Sequence, residues 1–127
     1  MIRRVLRSLV RCQAGSAAIE AAFALPVLFI TVFGTIEFGR LALVQSSINY
    51  AVAETARCAV IRPDVCGTSD QAAAYAADRI RVAQVPAAAF TLTSEVCGKK
   101  VSAQVQHQLI LYRLFDDPTL TAEFCRE

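Results

Sequence analysis

The sequence predicts an α+β protein: a long N-terminal helix, transmembrane in its first half, packed with a second short helix against a small antiparallel β-sheet. Three observations carry that prediction. No charged residue interrupts the chain from Ala21 to Ile36. An apolar period of three and four follows that run, and a period of two takes over from Phe90. In a chain of 127 residues, 55% of them hydrophobic, one membrane segment and one modest folded part are the natural partition.

At about 1.5 Å rise per residue, Ala21 to Ile36 spans roughly 24 Å, slightly short of a hydrocarbon core of about 30 Å. Extension back to Ala17 closes the gap and takes in Glu20. Four of the 13 basic residues, Arg3, Arg4, Arg7 and Arg11, precede the run with no acid among them, leaving nine against 11 acids in the rest. The positive-inside rule puts this flank in the cytoplasm and the chain after Ile36 across the membrane, which in a bacterium is the periplasm. The same split speaks against a nucleic-acid partner, which would need basic residues spread over the folded part. An ordinary cleaved signal would place a small-x-small site just after a short apolar core. The nearest such triplet, Ala51-Val52-Ala53, lies well beyond Glu37 and Arg40. Arg3-Arg4 is ordinary content of a positive flank and carries little weight as a twin-arginine signal.

Beyond the apolar run Leu41, Val44, Ile48, Val52, Ala56 and Ala59 share one helical face, while Gln45, Asn49, Glu54 and Arg57 lie mostly on others. The spacing predicts a helix from Ser16 to about Ile61, ended by Pro63 and kinked at Pro26, whose ring removes one backbone hydrogen bond. Arg62 to Ser69 is a loop. Ser69 or Asp70 then caps a second, alanine-rich helix to about Gln84, before Pro86. Phe90, Leu92 and Val96 alternate with Thr91, Thr93 and Glu95, and Gly98-Lys99-Lys100 turns the chain with the lysines at a solvated tip. In the returning strand Val101, Ala103, Val105, His107, Leu109 and Leu111 face one way, opposite Ser102, Gln104, Gln106 and Gln108. Asp116-Asp117-Pro118 is a turn, and Thr119 to Phe124 forms a third strand or a short helix.

Of five cysteines, Cys12 precedes the apolar run; Cys58, Cys66, Cys97 and Cys125 follow it, an even number suited to an oxidising compartment. Four cysteines allow three pairings. Cys58 with Cys66 is preferred because the loop around Pro63 and Gly67 can fold back, which leaves Cys97 with Cys125 to bridge the hairpin turn and the tail. Such bridges contribute about 2 to 4 kcal/mol each in a domain with a thin core. No Cys-x-x-Cys pair is present and His107 is the only histidine, so neither a metal nor another cofactor is expected.

Catalytic patterns are equally absent from the sequence: no Gly-x-Ser-x-Gly elbow, no His-Glu-x-x-His and no phosphate-binding glycine loop. His107 sits in the apolar series of a strand, where a packed position outweighs a role as base. The expectation is a protein that is not an enzyme, a tethered enzyme using His107 being the weakest reading.

One pattern next to the apolar run needs a cause. In Gly15-Ser16-Ala17-Ala18-Ile19-Glu20, a carboxylate at the edge of a bilayer segment costs about 2.5 to 3.5 kcal/mol on insertion scales. A cut after Gly15 would make Ser16 a new N-terminus, whose ammonium could pair with Glu20 of a neighbouring copy. Charges about 4 Å apart attract by roughly 4 kcal/mol at an effective dielectric of 20, enough to offset that cost.

At these residues the chain resembles type IV prepilins, in which Gly is followed by four small or apolar residues and then Glu. Ile19-Glu20, Phe23-Ala24-Leu25-Pro26 and Gly34-Thr35-Ile36-Glu37-Phe38-Gly39-Arg40 look like the opening of TadE-like pseudopilins. Ala56-Arg57-Cys58-Ala59 and Cys125-Arg126-Glu127 are similar to later positions of that family. The resemblance is dense over residues 15–61 and thin afterwards, and Ala21 stands where many relatives carry a bulky residue. It implies a leader, residues 1–15, removed by a prepilin peptidase between Gly15 and Ser16. A long helix, 16–61, would follow, with a transmembrane segment at about 17–36, and then a small periplasmic part, 62–127. It further implies an inner-membrane component of tight-adherence (Flp-type) pilus assembly. The partners in that system are a secretion ATPase, platform proteins, the major fimbrial pilin and a second pseudopilin. The reading from another class is an uncleaved, single-pass anchored periplasmic binding module.

Overall fold

The structure, a computed structural model, describes residues 14–109 and 117–127. Arg3, Arg4, Arg7, Arg11, Cys12, Leu111 and Asp116 lie outside the described residues, and so does nearly all of the expected leader. Helix α1 runs Ala14–Ile61 and contains Pro26. The chain divides into two compact units, Met1–Ile36 and Glu37–Glu127.

In the first unit every described side chain from Gly15 to Ile36 is exposed, Phe23, Val27 and Ile30 among them. The two threonines of this stretch satisfy their own hydroxyls. Thr31 Oγ1 donates to the Val27 carbonyl at 2.8 Å, and Thr35 Oγ1 to that of Thr31 at 2.7 Å. Each bond hides one polar group against the helix backbone, so the surface stays apolar. Phe29 and Phe33, one turn apart, stack with ring centroids 6.2 Å apart.

The second unit is α+β. After α1 come a single turn α2 (Pro63–Cys66), helix α3 (Ser69–Arg79) and a 3-10 turn at Ala87–Ala89. Strands β1 (Phe90–Glu95), β2 (Gly98–Gln106) and β3 (Thr119–Arg126) then form an antiparallel sheet in the order β1-β2-β3. Val44, Ile48, Ala51, Val52 and Ala56 of α1 share one buried core with Ala76 of α3 and with Phe90, Val101, Ala103, Val105 and Leu120 of the sheet. Burying apolar area at about 25 cal/mol per Å² is what drives these elements together. Small residues at 72 and 76, both buried, let α3 lie close to β1.

Helix α3 departs from the sequence expectation at both ends. Thr68, not Ser69 or Asp70, is its N-cap: Thr68 Oγ1 accepts from the Gln71 N–H, and the Gln71 side chain accepts from the Thr68 N–H, both at 3.3 Å. This reciprocal box satisfies two of the N–H groups a helix start leaves open. The helix ends at Arg79 instead of Gln84, because Ile80 turns extended (φ −93, ψ 108). Ile80 and Val85 are both buried. Five residues apart on a helix they would point about 140° away from each other, so an extended path is needed to seat both.

The hairpin also differs from expectation. Glu95 pairs with Gly98, so the turn is Val96-Cys97 alone, and Val96 is fully exposed instead of continuing the β1 face. Gly98 opens β2 with φ +109, a conformation that a side chain disfavours, and a Cβ there would meet the Arg126 carbonyl oxygen at 2.2 Å. Lys99 and Lys100 therefore lie in the strand and not at a tip. Lys99 Nζ donates to Ser94 Oγ at 2.9 Å, and Lys100 Nζ pairs with Glu123 at 2.9 Å. Along β2 the expected alternation holds, with Val101, Ala103 and Val105 buried, Gln104 and Gln106 exposed, and His107 buried just past the strand end. The tail is a strand, β3, held by Gln106↔Thr119 at one end and Lys99↔Arg126 at the other. Asp117 Oδ1 accepts from the Leu109 N–H at 3.1 Å.

Candidate functional site

The residues singled out in the sequence fall into three places. Gly15, Ser16 and Glu20 lie near the start of α1, all exposed. Glu20 follows Ser16 by four residues, so the two share a face of the helix. Glu20 has no ion-pair partner among the described residues. The helix from Gly15 to Ile61 is long and apolar enough to cross a membrane, its most apolar window having a mean hydropathy of 2.0 with none of that window buried inside the protein. An apolar surface of this extent on one helix calls for lipid or a partner helix.

The second place is a pair of disulfides. Cys58 in α1 joins Cys66 in α2, with Cα atoms 5.8 Å apart; Cys97 in the hairpin turn joins Cys125 in β3, with Cα atoms 6.1 Å apart. Cys58, Ala59 and Cys66 form a small buried cluster on which Tyr75 and Leu92 pack. Gly67 closes α2 where a Cβ would sit 2.1 Å from the Pro63 carbonyl oxygen, so the tight return of the chain around this bridge depends on its missing side chain.

The third place is an ionic cluster. Glu37 is buried at 8% exposure, with Oε2 3.3 Å from Arg40 Nη1 and Oε1 3.9 Å from His107 Nε2. His107 Nε2 is itself buried and makes no hydrogen bond. The His107 N–H donates to the Pro118 carbonyl at 3.1 Å, which holds the residue in line with β2. Beside it opens a groove of about 630 Å³, whose lining includes Arg40, Val44, Val85, His107 and Asp117. Among the described residues no group of three His, Cys, Asp or Glu side chains is placed to hold a metal ion.

Sequence reasoning placed Glu37 and Arg40 only within a motif and did not pair Glu37 with His107. The i, i+3 spacing of Glu37 and Arg40 was the available local signal. The approach of His107 was invisible because it depends on where β2 ends. On the sheet surface the Glu123 carboxylate, by hydrogen bond and by charge, holds the Lys100 amine above its ordinary value of 10.5.

Among the described residues these features define one apolar, membrane-length helix and a small α+β part carrying two disulfides. Residues 15–57 match the family model described as TadE-like protein. The matched segment is the one in which the sequence looks like that family. The sheet and all four bridged cysteines lie outside it. No curated protein and no solved structure matches the chain.

Proposed function

We propose that this protein is a pseudopilin, or minor pilin-like component, required for assembly of tight-adherence (Flp-type) pili. In this reading residues 1–15 stay in the cytoplasm as a leader, and a prepilin peptidase cuts between Gly15 and Ser16. The apolar helix holds the mature chain in the inner membrane with residues 62–127 in the periplasm. The Ser16 ammonium then pairs with Glu20 of a neighbouring subunit, setting the register of one helix against the next. Its partners are the peptidase, a second pseudopilin, the major fimbrial pilin, the platform proteins and the secretion ATPase. The role is one of assembly, with no catalytic step and no cofactor.

The observation that carries this reading is the family match over residues 15–57, which begins at Gly15 and includes Glu20 in front of an uncharged apolar run. The test is the intact mass and N-terminal sequence of the protein from membranes of cells with and without the prepilin peptidase. A start at Ser16 that depends on the peptidase is expected. A chain beginning before Gly15 in both strains would sink the proposal and leave an uncleaved, anchored periplasmic binding module.

A further inference from the structure

Beside the Cys58–Cys66 bridge two guanidinium groups converge on one phenol. Arg62 Nη2 donates to Tyr75 Oη at 3.4 Å and Arg79 Nη2 donates to the same oxygen at 2.5 Å. Arg79 also stacks over the Tyr75 ring, its Cζ 4.4 Å from the ring centre. Both arginines are exposed and Tyr75 is half-buried against the disulfide. Neither guanidinium has a carboxylate partner among the described residues. Two positive charges whose donor nitrogens lie within about 6 Å of each other repel, and a neutral phenol oxygen does not offset that repulsion.

The donors at this point outnumber their acceptors. A phenol oxygen that accepts two hydrogen bonds still has one proton to give, and each guanidinium carries five N–H donors. No acceptor for the Tyr75 O–H exists among the described residues. The placement is also braced. The Arg62 N–H donates to the Cys58 carbonyl at 2.8 Å, the Arg62 carbonyl accepts from Val65 and Cys66, and Arg62 Nη2 lies 3.8 Å from Cys58 Sγ. Tyr75 and Arg79 are fixed at i, i+4 on α3.

We propose that Arg62, Tyr75 and Arg79 form a binding site for a carboxylate presented by another protein chain. The guanidinium fork matches a planar carboxylate through paired N–H donors, and the Tyr75 O–H adds a third donor from between them. The charge balance points the same way: after Gly15 the chain has nine basic residues against 11 acidic, so a neighbouring copy brings more carboxylates than bases. The site itself is built from residues 58–79, and its geometry is the same whether or not the chain is processed as a prepilin.

The test is a titration of the full chain in lipid nanodiscs with blocked tri-glutamate, and in parallel with inorganic phosphate, reading the arginine Nε–Hε resonances by NMR. Saturable shifts of the Arg62 and Arg79 signals with tri-glutamate are expected. Affinity should fall about tenfold in Arg79→Gln and severalfold in Tyr75→Phe, which keeps the ring and loses the proton. Unchanged backbone resonances of β2 in both variants show that the fold is intact. An absence of shifts, or equal binding by wild type and both variants, overturns the proposal. Response to phosphate and not to tri-glutamate overturns the assignment to a carboxylate.

Discussion

Glu37 Oε1 stands 3.9 Å from His107 Nε2, and the two side chains are only 11% and 9% exposed. The separation is too long for a hydrogen bond and short enough for charges to act on each other. Glu37 also has Arg40, whereas the described contacts of the His107 ring with charged groups end at Glu37.

That asymmetry predicts unequal costs. Replacing His107 by Leu removes a ring whose Nε2 makes no hydrogen bond and leaves Glu37 paired with Arg40, so it should change stability by less than about 1 kcal/mol. Replacing Glu37 by Leu takes from the Arg40 guanidinium its hydrogen-bonded carboxylate and should cost about 1 to 2 kcal/mol. Thermal unfolding of the full chain in detergent, followed by circular dichroism, compares the two. A larger loss from the His107 change than from the Glu37 change would contradict the account.

The two disulfides close loops of different length, with sequence separations of 8 and 28. Loop-closure entropy makes removal of the Cys58–Cys66 pair as a double serine variant cost about 2.5 kcal/mol, and removal of Cys97–Cys125 about 3.5 kcal/mol. Denaturant midpoints of the two variants check the order. Alkylation of the denatured, unreduced protein should label none of these four cysteines.

Lys100 and Glu123 supply a pH dependence whose sign is set by the raised Lys100 value. Below the ordinary 10.5 the amine is protonated in folded and unfolded chains alike, and the contribution of the pair is fully present. As pH rises past 10.5 the unfolded chain loses its proton first, and the contribution disappears as pH passes the raised folded value. The gap in urea midpoint between wild type and Lys100→Met should be small, because Glu123 is 70% exposed, and should close above that range. A gap that widens with alkaline pH would show that another group controls it.

Much of the architecture was legible in the chain because its signals are local. Val44, Ile48, Val52, Ala56 and Ala59 are buried as their three-and-four spacing requires, and Val101, Ala103 and Val105 as strand alternation requires. The errors came where a local signal sets only a limit. Pro86 marks the last place α3 could stop, while the need to bury both Ile80 and Val85 decides where it does stop. Gly98 announced a turn, but its role is to open β2 against the Arg126 carbonyl, so the reading slid the turn onto the lysines. The approach of His107 to Glu37 and of Arg62 to Tyr75 was not legible, since each joins residues that come together only after the chain has folded.

The Cys97–Cys125 bridge has a mechanical consequence. It closes residues 97–125 into a covalent ring that contains β2 and most of β3. A pull applied to the chain before Cys97 and beyond Cys125 passes from one sulfur to the other and bypasses the ring, so the β2–β3 pairing inside it carries none of the load. Under tension the second unit yields in the segments outside the ring, at β1 and the helices, and the strands paired inside the ring stay unloaded while the bridge is intact.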